Sequence, residues 1–118
     1  MNIRRINPNI SSEKMEESKA FYTDFIGLKL VMDMEWIRTF ASVSNPTAQI
    51  SILQKDPSQN AEQNVSISIE VENIDEVYAK AISLGQKIVY PITNEAWGVR
   101  RFFVEDPNGI VVNIMCHL

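Results

Sequence analysis

The spacing of apolar residues changes period along this chain. Between Glu13 and Ile26, Met15, Ser18, Phe21, Tyr22, Phe25 and Ile26 recur at helical spacing, which predicts a helix that Gly27 stops. Ser12 is placed as its N-cap, and Glu13, Glu16 and Glu17 complement the positive end of the helix dipole. Ile3–Ile10 reads as a strand before it. Three short strands follow over Leu28–Met34, Trp36–Val43 and Ala48–Gln54, with Asn45-Pro46 punctuating the last two. Beyond the polar stretch Asp56–Asn64 the order repeats. A strand over Val65–Val71 leads to a helix over Ile74–Leu84, whose stripe is Ile74, Val77, Tyr78, Ala81 and Ile82. Asn73 and Glu76 have capping-box spacing, and Gly85 fits the position just past the helix end. Lys87–Ile92, Val99–Glu105 and Ile110–Met115 supply three further strands. Ile26-Gly27-Leu28-Lys29-Leu30 finds an echo in Leu84-Gly85-Gln86-Lys87-Ile88.

Each half is therefore strand, helix and three strands. Units of about 55 residues bury too little surface to be comfortable alone, so the halves are expected to share one curved sheet. The fold class expected is α+β with mixed connectivity, in one domain spanning 1–118 with repeat halves at about 1–56 and 64–118. Strand alternation assigns faces. It sets Ile67, Ile69 and Val71 against Ser66, Ser68 and Glu70, and Ile110, Val112 and Ile114 against Val111, Asn113 and Met115. In the first half it sets Ile6, Pro8 and Ile10 against Asn7 and Asn9, and Ile50 and Ile52 against Gln49, Ser51 and Leu53. The row opposite each apolar row is polar but mostly neutral.

Composition narrows the functional classes. A net charge of −4 with no basic block gives a nucleic-acid backbone no footprint. No apolar run approaches the roughly 20 residues needed to span a bilayer, and Met1–Arg5 is not followed by a signal-like segment. A single cysteine, Cys116, excludes an internal disulfide and a cysteine-rich zinc site. A cytoplasmic protein is expected, without nucleic-acid or membrane partners. No Gly-rich phosphate loop, nucleophile elbow or Cys/His pair is present.

One composite motif is informative. Trp97-Gly98-Val99-Arg100-Arg101-Phe102 leads into Asp106-Pro107-Asn108-Gly109, where Pro107 presets a turn and Asn108 and Gly109 tolerate a left-handed backbone. Together with Glu17-Ser18-Lys19-Ala20-Phe21-Tyr22 and Gly27-Leu28 in the first half, this order resembles the glyoxalase/bleomycin-resistance/dioxygenase family, also called vicinal oxygen chelate proteins. The resemblance implies duplicated βαβββ modules around a cleft, helices on the outer face, and frequent pairing into a homodimer. It also implies metal positions on the cleft strands, which fall here at Asn7, Ser51, Ser66 and Asn113. Divalent metals favour imidazole, thiolate or carboxylate, so amides and hydroxyls make a weak cage, and neither a metal nor another cofactor is expected.

Other side chains carry competing readings. Trp36 and Phe40 share a face with Arg38 between them, and either stack on a planar ligand or bury area. Trp97 borders a groove in the bleomycin-resistance branch, or else caps a sheet edge or a dimer contact. Arg100 and Phe102 match a recurrent Arg-x-Phe. Arg100 either binds an anion or pairs with Glu95, Glu105 or Asp106. Glu70 is a general base if buried, or is satisfied by Arg38 or Arg100. Met32, Met34 and Met115 offer an adaptable lining or ordinary core. His117 is read as an exposed tail residue. The leading expectation is a metal-free protein that binds a small organic ligand, in the manner of antibiotic-sequestering relatives. Its ligand set is Asn7, Trp36, Arg38, Phe40, Ser66, Glu70, Trp97, Arg100, Phe102 and Asn113. The alternatives are a metal-dependent lyase, isomerase or dioxygenase, a metal-free enzyme using Glu70, and a regulatory module with a degenerate cleft.

Overall fold

A computed structural model describes residues 2–55 and 65–118. The polar stretch Asp56–Asn64 lies outside them. The chain forms two compact units, Met1–Gln63 and Asn64–Leu118. The first contains β1 (Asn9–Ser12), α1 (Met15–Ala20), β2 (Lys29–Asp33), β3 (Ile37–Ala41) and β4 (Gln49–Gln54). The second contains β5 (Ser66–Glu70), α2 (Ile74–Ser83), β6 (Lys87–Asn94), β7 (Val99–Glu105) and β8 (Val111–His117). Sheet orders are β1-β4-β3-β2 and β5-β8-β7-β6, the same permutation twice. In each sheet the first strand pairs parallel with the last and the remaining pairs are antiparallel. The architecture is α+β in repeated modules, with one four-stranded mixed sheet per half where a single shared sheet was expected.

In the first unit Phe21, Tyr22 and Phe25 are all buried. The chain widens into a π-helical turn over Phe21–Phe25 directly after α1. Tyr22 lies over Phe40 of β3, ring centroids 6.1 Å apart, and Ile10, Ile50 and Ile52 of the same unit are buried as well. The helix starts later than predicted because Ser12 ends β1. Its Oγ accepts the Lys14 backbone N–H at 2.8 Å and lies 3.2 Å from Ser18 Oγ. The opening strand is also shorter than expected. The ladder with β4 begins at Asn9↔Ser51, and ahead of it one isolated bridge, Ile6↔Ala48, pairs the chain among the described residues. Ile3 and Ile6 are exposed in consequence.

In the second unit α2 begins at Ile74 as predicted, but neither Asn73 nor Glu76 makes the side-chain cap. Its end follows prediction: Gly85, at φ +67°, donates to Ile82 O while Gln86 donates to Ala81 O, the paired bonds of a Schellman stop. β6 continues through Pro91, which an edge strand tolerates because the missing N–H faces no partner. Asp106 is 4% exposed and its carboxylate accepts the N–H groups of Asn108 and Ile110, setting the turn into β8. Only Gly109 of that turn is left-handed, at φ +81°. Phe102, Val104, Ile110, Val112 and Ile114 fill the core.

Candidate functional site

Alternation gives each sheet a face toward its helix and a face away from it. On β3 and β7 the helix-side positions repeat a motif. Arg38 reaches Glu16, in the first turn of α1, at 2.9 Å, and Asp33 at 3.2 Å. Arg100 reaches Asp75, in the first turn of α2, at 2.9 Å, and Asn94 at 2.8 Å. Two residues on, Phe40 packs against Tyr22, and Phe102 packs edge-on against Tyr78 at 4.9 Å. Both phenylalanines are fully buried. Arg-x-Phe is thus a brace used once per half, the arginine holding the helix start and the phenylalanine filling the space beneath.

That arrangement gives four of the expected ligand residues intramolecular partners. Arg38, Phe40, Arg100 and Phe102 are committed to the helix side, and Arg100 pairs with Asp75 rather than with Glu95, Glu105 or Asp106. Arg38 is held above its ordinary pKa, chiefly by Glu16 and then by Asp33. Asp33 is held below the usual carboxylate value, first by the Glu35 backbone N–H and then by Arg38. Trp36 lies just ahead of β3, 54% exposed, outside both the brace and the polar row described next.

The opposite face of the first sheet carries a chain of neutral polar groups. Asn7 Nδ2 donates to Ser51 Oγ at 2.9 Å, and Ser51 Oγ lies 2.7 Å from Thr39 Oγ1. Ser51 and Thr39 are 1% and 5% exposed, and Asn7 Oδ1 is buried without a hydrogen-bond partner among the described residues. Thr39 was not anticipated. Its register opposite Ser51 follows from the β3/β4 pairing, which the sequence does not display.

The second sheet repeats the theme. Asn113 Nδ2 donates to Ser68 Oγ at 3.2 Å, leaving Asn113 Oδ1 buried and unpartnered among the described residues. Ser66 lies one register step away, opposite Val111, so it is Ser68 that meets Asn113. Glu70 is exposed and pairs with His117 at 3.2 Å rather than with Arg38 or Arg100. His117 is the last residue of β8, not a free tail.

Beside Asn113 stands a group that sequence reasoning missed. Arg101 and Phe103 point away from the helix, with Arg101 opposite Met115 and Phe103 opposite Asn113. The Arg101 guanidinium lies 4.7 Å from the Phe103 ring, 5.1 Å from Trp97 and 5.7 Å from Tyr90. Its Nε is 3.5 Å from Glu95 Oε1, and Tyr90 Oη donates to the same oxygen. The available signal was that Arg100-Arg101-Phe102-Phe103 contains two interleaved Arg-x-Phe pairs, one for each face.

The donor set does not suit a divalent ion. Asn7, Ser51, Thr39, Ser68 and Asn113 offer neutral oxygens, several already bonded to one another, where such an ion calls for anionic or imidazole ligands. Among the described residues no three His, Cys, Asp or Glu side chains gather around a common point. Among them, too, no helix is long and apolar enough to cross a membrane.

Similar chains include a protein of unknown function from Agrobacterium tumefaciens str. C58, at 25% identity and TM-score 0.80 over 100% of this chain and 97% of that one. A glyoxalase/bleomycin resistance protein/dioxygenase from Alicyclobacillus acidocaldarius shares the fold at 16% identity and TM-score 0.75, covering 97% and 91% of the two chains. TioX from Micromonospora sp. ML1 shares it at 12% identity and TM-score 0.77, covering 97% and 96%. No curated protein matches the sequence. The family model for the Glyoxalase/Bleomycin resistance protein/Dioxygenase superfamily matches residues 5–114, and with the twice-repeated sheet order this chain belongs to that superfamily.

Proposed function

We propose that this protein binds a small organic molecule without a metal, as a homodimer in the cytoplasm, and that sequestering an antibiotic or a similar compound is its role. The observation that carries the reading is the chemistry of the two polar rows. Asn7–Ser51–Thr39 and Ser68–Asn113 present neutral, preorganised hydrogen-bonding groups, and two buried amide oxygens await donors. Buried acceptors without partners cost about 1–3 kcal/mol each, a cost that an organic ligand's N–H or O–H group would relieve. Tyr90, Trp97 and Phe103 add aromatic surface beside Asn113, and Trp97 is 65% exposed, free to cover a planar ligand. Glu70 is not assigned a catalytic part.

Titrating the purified protein with aromatic and glycopeptide antibiotics while following tryptophan emission tests the reading. A saturable change that is unaltered by chelator supports it. A response that appears only after addition of a divalent metal refutes it.

A further inference from the structure

Arg101 is held in a way that its neighbours do not explain by packing alone. Three rings surround the guanidinium at 4.7, 5.1 and 5.7 Å, which fixes its plane. Glu95 touches it along the Nε edge, at a separation of 3.5 Å that is long for a charge-assisted bond, and Nε is buried without a hydrogen bond among the described residues. Glu95 Oε1 is already engaged by the Tyr90 hydroxyl. Neither terminal nitrogen of Arg101 hydrogen-bonds a group among the described residues. The side chain keeps 24% of its surface, so its outer end is open to solvent. An arginine flanked by rings at its guanidinium carbon, with both terminal nitrogens free of hydrogen bonds to the described residues, is arranged to receive a bidentate anion. Exposed Trp97 stands alongside, and Asn113, across from Phe103 on β8, adds an unpaired amide oxygen.

We infer that Arg101, walled by Tyr90, Trp97 and Phe103, is an anion-recognition subsite on the polar face of the second sheet, selecting planar organic ligands that carry a carboxylate or sulfonate. The inference rests on the ligand-binding reading above and specifies its ligand class. The aromatic walls take the ligand's ring while the two Nη groups donate to its acid group. A cationic ligand is disfavoured there, because it meets the guanidinium first.

Two dyes with one ring skeleton separate the terms: anilinonaphthalenesulfonate is an anion and phenylnaphthylamine is neutral. Each is titrated by energy transfer from Trp97 in a Trp36→Phe background. Arg101→Gln is expected to lower the preference for the sulfonate about tenfold or more while leaving phenylnaphthylamine affinity unchanged. Arg101→Lys keeps the charge but not the planar fork, and recovers only part of the preference. Should Arg101→Gln fail to fold, salt carries the test in the parent protein: added sodium chloride weakens sulfonate binding and not amine binding. An unchanged preference in Arg101→Gln, or sulfonate binding indifferent to salt, overturns the subsite. Saturable amine binding in that case leaves the broader binding reading standing, whereas no saturable binding of either dye overturns both.

Discussion

Ser51→Ala removes the oxygen through which Asn7 and Thr39 communicate. Asn7 is only partly buried and can turn to water, so the larger penalty falls on Thr39, whose hydroxyl is left without its 2.7 Å partner at 5% exposure. A buried hydroxyl stranded in this way costs about 1–3 kcal/mol, and the lost Asn7 bond adds roughly 0.5–1 kcal/mol, giving about 1.5–4 kcal/mol in all. At a urea dependence of about 1–3 kcal/mol/M, the unfolding midpoint falls by roughly 0.5–4 M. Thr39→Val alone strands only Ser51, which retains Asn7 as a donor, so it costs less, about 1 kcal/mol. The double variant replaces both hydroxyls and is expected to be more stable than the sum of the single costs by about 1 kcal/mol or more. Urea unfolding of all four proteins measures this coupling. Strict additivity would show that the two hydroxyls are not bonded, and the polar row would lose its claim to be preorganised.

Phe40→Ala and Phe102→Ala each empty a fully buried site under a tyrosine, and each is expected to cost about 3–5 kcal/mol by chemical denaturation. Gly85→Ala places a Cβ where nothing lies within 4 Å, so its cost is purely the left-handed backbone, about 1 kcal/mol, and Gly85→Asn recovers part of it in a thermal melt. Asp33 has its folded pKa below its reference of 3.8, so its contribution to stability is complete above that pH and disappears as pH falls through the lower folded value. Asp33→Asn therefore reduces stability near neutral pH and flattens the acid limb of the stability profile, and a carboxyl titration by NMR locates the shifted midpoint directly.

The fold was legible because helical stripes and glycine stops fall at repeated places, and Gly85 ended α2 where its spacing said it would. The faces of β3 and β7 were harder to read. Period-two alternation groups Arg100 with Phe102 and equally Arg101 with Phe103, and nothing local states which pair turns to the helix. The choice is made by long-range contacts: Asp75 waits at the start of α2 for Arg100, and Tyr78 waits for Phe102. The same contacts send Arg101 and Phe103 to the other face. Asn7, Ser51 and Asn113 were found by alternation, yet their partners Thr39 and Ser68 depend on the register between strands. Ile6 shows the opposite failure, where a sound apolar pattern ran past the end of the strand it needed to pair with.

Elemental analysis of protein purified without chelators, then dialysed against submicromolar zinc, manganese and iron, probes the neutral polar rows most directly. Far less than one ion per chain is expected, with no change in unfolding midpoint on adding metal. One tightly retained ion per chain, lost together with that stabilisation in Asn7→Ala or Asn113→Ala, would contradict that expectation.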